Sequence, residues 1–107
     1  MICYVAESSS EGVKAIAQLN EIDNDFVPLD DAGIGFEWGY EGAGPRNLAH
    51  AILAHYAAEA FATDFMMEVI SKKSPIELRE RAVVFREENI LVWLRKKLNE
   101  RCASLGI

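Results

Sequence analysis

The sequence predicts an α+β fold, a small, mainly antiparallel sheet packed against three or four helices. Three observations predict it. Short apolar runs, alternating or β-branched, stand near both ends of the chain and read as strands. Longer stretches repeat apolar residues every three or four positions and read as helices. Between them Gly35–Tyr56, GFEWGYEGAGPRNLAHAILAHY, reads as a strand, a glycine turn and a helix in succession. The chain is 107 residues long and 50% hydrophobic with 26% charged residues, which suits a single α+β domain, 1–107, with a real core.

Taken in order, Ile2–Ala6 is a short apolar run closed by Glu7 and three serines, and it predicts a first strand. Val13, Ala15, Ala17 and Leu19 alternate after the Ser8–Gly12 turn. We read a second strand hairpinned with the first, although Ser10-Glu11 could also cap a short alanine-rich helix there. Phe26–Leu29 predicts a brief extended segment around Pro28, and Asp30–Gly33 turns the chain. Beyond Tyr56 the apolar stripe through Phe61, Phe65, Met66, Val69 and Ile70 slips out of phase, so a break is expected near Ala58–Thr63. Ser74-Pro75-Ile76-Glu77 is a helix start signal for a short helix to about Arg81. Ala82–Phe85 is β-branched and apolar and predicts a strand, the alternative being one helix through to Leu98. The last helix carries an apolar stripe of Ile90, Leu91, Leu94, Leu98, Cys102 and Leu105, with Glu87 and Glu88 at its front and basic residues at its back. It is expected to close the core.

In the central stretch Ile34, Phe36, Trp38 and Tyr40 fall on one face of a strand, and Gly35, Glu37 and Gly39 on the other. The aromatic face is expected inside, because each ring removes much apolar area from water at roughly 25 cal/mol per Å². The glycines of Glu41–Pro45 permit a tight corner, and Pro45 suits the first helical position. Leu48, Ala49, Ile52, Leu53 and Tyr56 then make the buried stripe, with Arg46, Asn47, His50 and Ala54 largely opposite. A glycine turn before a helix can cradle an anion. Here Pro45 removes a donor, Glu37 and Glu41 would repel a phosphate, and no P-loop lysine follows. Glu37 is expected to cap the helix or pair with Arg46.

The run F-E-W-G-Y-x-G-x-G-P-x-x-L-A-x-A-I-L, Phe36 through Leu53, resembles the signature of a family of small uncharacterised bacterial and phage proteins. Those proteins carry F-E-W-G-Y-G-G-S-G-P before an Ala/Leu-rich helix, and this chain departs from the pattern at Glu41 and Ala43. The resemblance implies a shared fold and a phage or mobile-element setting. It implies no activity.

Charge is divided unevenly. Residues 1–64 carry 11 acidic and 2 basic side chains, net −9, and residues 65–107 carry 6 acidic and 9 basic, net +3. A chain of net charge −6 does not attract nucleic acid through its bulk field. The basic cluster of Arg95, Lys96, Lys97 and Arg101 complements the helix dipole and lacks the interleaved aromatics of a nucleic-acid site. Glu21, Asp23, Asp25, Asp30 and Asp31 form the densest acidic group, suited to a basic protein surface.

There is no run of 18 apolar residues and no signal peptide, so no membrane association is expected. Cys3 and Cys102 are too few and too far apart for a disulfide framework or zinc site and read as reduced thiols of a cytoplasmic protein. His50 and His55 sit about 140° apart round a helix, and His55 with Glu59 supplies only two ligands, so neither a metal nor another cofactor is expected. No reaction-defining motif is present. The expectation is therefore a small acidic non-enzymatic interaction protein that binds a host protein, with Glu37, Arg46, Asp23, Asp25, Asp30 and Asp31 as binding candidates. The alternative is a small enzyme or ligand-binding domain around Glu37, Arg46 and His50, with Glu37 and His50 as acid/base candidates. Either a monomer or a homodimer burying spare aromatics such as Trp93 is compatible with the sequence.

Overall fold

The computed structural model describes residues 2–19, 25–73 and 82–106. Its elements run β1 (Cys3–Ser9), β2 (Gly12–Gln18), β3 (Phe26–Pro28), α1 (Ala43–Ala54), α2 (Ala62–Glu68), β4 (Ala82–Arg86) and α3 (Glu87–Ser104), with 3₁₀ turns at Glu59–Phe61 and Ile70–Lys72. The expected α+β class is what is found, an antiparallel sheet of order β3-β2-β1-β4 backed by helices. The start signal at Ser74–Glu77 lies outside the described residues.

A two-residue turn joins β1 to β2, with Gly12 at φ 107 and the Ser9 hydroxyl accepting from the Glu11 N–H. Tyr4 pairs with Ala17 and Phe85, and Ala6 with Ala15 and Val83. All six are buried on one face of the sheet. The alanines there leave room for large rings, and Phe36, Trp38, Leu48, Ile52, Phe65 and Ile90 complete the same cluster.

The central stretch departs from expectation. Gly35–Tyr40 is not a strand, because Gly35 (φ 91) and Gly39 (φ 86) lie in the left-handed region, which no ladder accepts. Phe36 and Trp38 point inward as expected, whereas Ile34 is 63% and Tyr40 50% exposed. The ribbon is held by its own contacts, among them the Gly39 N–H to the Ile70 carbonyl at 3.0 Å. Pro45 is the third residue of α1 and not the first, since the helix opens at Ala43. It costs no bond there, because the first intrahelical acceptor, the Gly42 carbonyl, is taken by the Arg46 N–H.

The predicted stripe Leu48, Ala49, Ile52, Leu53 is buried, and Tyr56 is half-buried. The expected break follows. Ala58 N–H reaches the Leu53 carbonyl and Ala57 N–H the Ala54 carbonyl, with Ala57 at φ 52, an αL helix stop built on alanine where glycine is usual. β2, β3 and β4 stand close to where the alternation put them.

The final helix closes the core with its front half only. Ile90 and Leu94 are buried, and Trp93 meets Phe65 edge-on at 4.9 Å between ring centroids. Leu91, Leu98, Cys102 and Leu105 of the predicted stripe are exposed, because the layer they would cover ends at α2. That back half is tethered laterally, by the Lys97–Glu68 ion pair and by Arg101 lying 5.6 Å from the Phe61 ring centre.

Candidate functional site

The most tightly specified surface feature is the turn between β3 and the inward rings. Leu29 continues the ladder by donating to the Ala15 carbonyl. Asp30 Oδ1 then accepts from the Ala32 N–H at 2.8 Å, and Asp31 Oδ1 from the Gly33 N–H at 2.9 Å. These Asx contacts stabilise the two left-handed residues Ala32 (φ 53) and Gly33 (φ 77). Asn47, on the outer face of α1, donates through Nδ2 to the Asp31 carbonyl at 2.8 Å and the Gly35 carbonyl at 3.0 Å. One amide therefore clamps both ends of the turn to a helix. A left-handed alanine costs roughly 1–2 kcal/mol, a strain that surrounding bonds must hold in place.

The turn presents Ile34 to solvent, with the half-exposed Val27 on the neighbouring strand. Asp30 is exposed and Asp31, whose carbonyl accepts from the Ile34 N–H, is half-buried, so Ile34 stands beside carboxylates, while Asp25 is exposed at the other end of β3. A groove of about 390 Å³ runs alongside, lined by Val13, Lys14, Ile16, Phe26, Leu29 and Asp31. Such a surface can seat an apolar side chain, with one basic and one acidic group at its walls. It holds no nucleophile beside a base.

Of the predicted site residues, Asp30 and Asp31 stand together here, Asp25 stands at the opposite end of β3, and Glu21 and Asp23 lie outside the described residues. Glu37, Arg46 and His50 are not joined to one another by any hydrogen bond or ion pair among the described residues. Glu37 lays its methylenes against Gly44, where an added Cβ would stand 2.7 Å from Glu37 Cγ. α1 has no side-chain cap, so the cap expected of Glu37 is absent. Arg46 Nε donates to Thr63 Oγ1 at 3.0 Å, and His50 is exposed.

A second polar cluster went unread in the sequence. Tyr4 donates to the Tyr56 hydroxyl at 3.0 Å, and Tyr56 donates to Glu87 Oε2 at 3.0 Å. His55 Nδ1 lies 3.2 Å from the Tyr4 oxygen and, with that proton already given away, serves as the donor. Burial raises the pKa of both phenols, with the Glu87 carboxylate pushing the same way. No periodicity could have revealed a brace whose members lie 51, 52 and 31 residues apart. Among the described residues no three His, Cys, Asp or Glu side chains converge as a metal site, and no helix is long and apolar enough to cross a membrane.

The fold and this edge define a small α+β protein, a helix-backed antiparallel sheet with an acidic, apolar turn at one margin. The chain belongs to the family of unknown function DUF6166, whose model matches residues 4–96. That span runs from β1 into α3 and includes the clamped turn. No curated protein and no solved structure matches the chain.

Proposed function

We propose that this chain is a small acidic, non-enzymatic interaction protein, encoded by a phage or mobile element, that binds a host protein through the turn following β3. The observation carrying this reading is the Asn47 clamp, which holds Ile34 out in solvent beside Asp30 and Asp31, with Asp25 at the other end of the same edge strand. A rigid apolar anchor loses little conformational freedom on binding. Surrounding carboxylates steer a basic partner toward it and exclude acidic competitors. The partner's matching surface is an apolar socket rimmed by Lys and Arg.

Capture of host proteins on the immobilised chain, followed by titration of the purified partner, tests this. Ile34→Ala should weaken binding by about 10-fold or more, the usual cost of losing a central anchor. Asp25, Asp30 and Asp31 changed together to Asn keep the turn's acceptors but remove three charges, so association should slow and lose most of its salt dependence. Affinity indifferent to both changes would exclude this surface as the binding site.

A further inference from the structure

The helices cover one face of the sheet, and the register sets out the other. Pro28, Ile16, Val5 and Val84 stand side by side across all four strands, an apolar row spanning the open face. Val84 is 43% exposed, and Val5 and Ile16 are partly so despite lying on the two central strands. The next row on one side pairs Lys14 with Glu7, both exposed, and ends at Ala82. Lys14 has a second carboxylate within reach, Glu11 at 3.5 Å, in an ion pair whose members are both more than three-quarters exposed.

We propose that a second copy of this chain covers the open face, the two sheets packing about a two-fold axis that runs parallel to the strands between β1 and β2. The register makes this arrangement self-complementary. Such an axis keeps each row at its own height and exchanges left for right, so β1 of one copy lies over β2 of the other. Val5 then meets the partner's Ile16, Val84 meets the partner's Pro28, and Glu7 meets the partner's Lys14. The charge pair forms twice, once on each side of the axis. A two-fold perpendicular to the strands would instead lay β3 over β3 and reverse the rows, setting Glu7 over the partner's Cys3 and Lys14 over the partner's Gln18, so that neither charge pair forms. Charge selects between the two. The roughly 30° rotation of aligned sheets parts the corners first and leaves pairs near the axis within reach of long side chains. Four strands about 4.8 Å apart, five residues deep, give a footprint of roughly 300 Å² per copy, below the usual size of a specific interface, so the dimer is a weak, transient one. The exposed stripe of α3 suits a second copy less well, because the exposed Arg95 and Arg101 flank Leu98 and would meet like charges. Ile16, Pro28 and Lys14 also line the groove beside the Ile34 turn, but Ile34 and Glu7 each belong to one surface alone, so substitutions there test the two apart.

Sedimentation velocity at about 300 µM chain in low salt, where a weak dimer is populated, tests the proposal. The wild type should sediment near twice the 11.9 kDa of one chain. Glu7→Lys alone and Lys14→Glu alone each place like charges across the interface twice. Each should raise the dimer dissociation constant by about tenfold or more while leaving the far-ultraviolet circular dichroism unchanged. An equimolar mixture of the two variants should recover the dimer, since each now faces its opposite, which no pairing within one chain can produce. Leu98→Glu, on α3, should leave the dimer intact. A wild-type monomer at that concentration, a mixture that stays monomeric, or a dimer lost on Leu98→Glu would each overturn the proposal.

Discussion

Gly44 shows how one missing side chain sets the spacing between the inward ribbon and α1. A Cβ at this position would stand 2.8 Å from Glu37 Cβ and 2.7 Å from its Cγ, and although Cγ can rotate away, Cβ is fixed by the backbone. Gly44→Ala should therefore destabilise the protein by about 1–3 kcal/mol despite the better helix propensity of alanine. At Gly42 the clash is with the Tyr40 ring, which is half exposed and can rotate, and φ is an extended 176. Gly42→Ala should cost well under half as much, and urea unfolding of the two variants side by side measures the difference. Asn47 makes a related point at the same scale. Its position opposite the apolar stripe was legible, but the carbonyls it clamps belong to a turn whose path no local pattern specifies.

At the scale of elements, periodicity located surfaces better than it located partners. The hairpin of β1 and β2 was readable because alternation and a short polar turn agree, and Ala82–Phe85 because β-branching favours a pleated surface. In Phe36–Tyr40 the same alternation identified the two buried rings but not the backbone, since Gly35 and Gly39 use positive φ to turn away from the sheet. The stripe of α3 was real yet only half used, because a heptad-like pattern says nothing of where the opposing layer ends. That distinction has a measurable form. Leu94→Ala should cost about 2–4 kcal/mol of unfolding free energy, as for other buried leucines. Leu98→Ala should change it by less than about 0.5 kcal/mol, as for an exposed site. Equal effects would mean that the back half of the helix is packed.

Across the whole molecule, the Tyr4–Tyr56–Glu87 chain ties β1 to the end of α1 and the start of α3. Both phenols have folded pKa values above the ordinary 10.0, chiefly through burial. The unfolded chain releases these protons first as pH rises, so the stabilisation is complete below about pH 10 and is lost progressively above it. The melting temperature should fall as pH rises above about 10, and Tyr4→Phe or Tyr56→Phe should flatten that limb. An unchanged slope in both variants would show that other groups control it. None of this was legible beforehand, because the brace joins residues far apart in sequence through hydroxyls that apolar patterning counts simply as aromatic. The acidic half, by contrast, was evident from composition, although composition could not show that Asp25 stands at one end of β3 and Asp30 and Asp31 at the other.

The two tryptophans belong to different elements. Trp38 is sealed beneath the sheet with 1% of its surface exposed, and Trp93 rests its ring on Phe65 with a buried Nε1 that has no hydrogen-bond partner among the described residues. The chain thus carries two native optical reporters, one for the ribbon and one for the terminal helix. Replacing either with Phe isolates the emission of the other, and two emission curves that separate during denaturation would reveal the helix letting go before the sheet does.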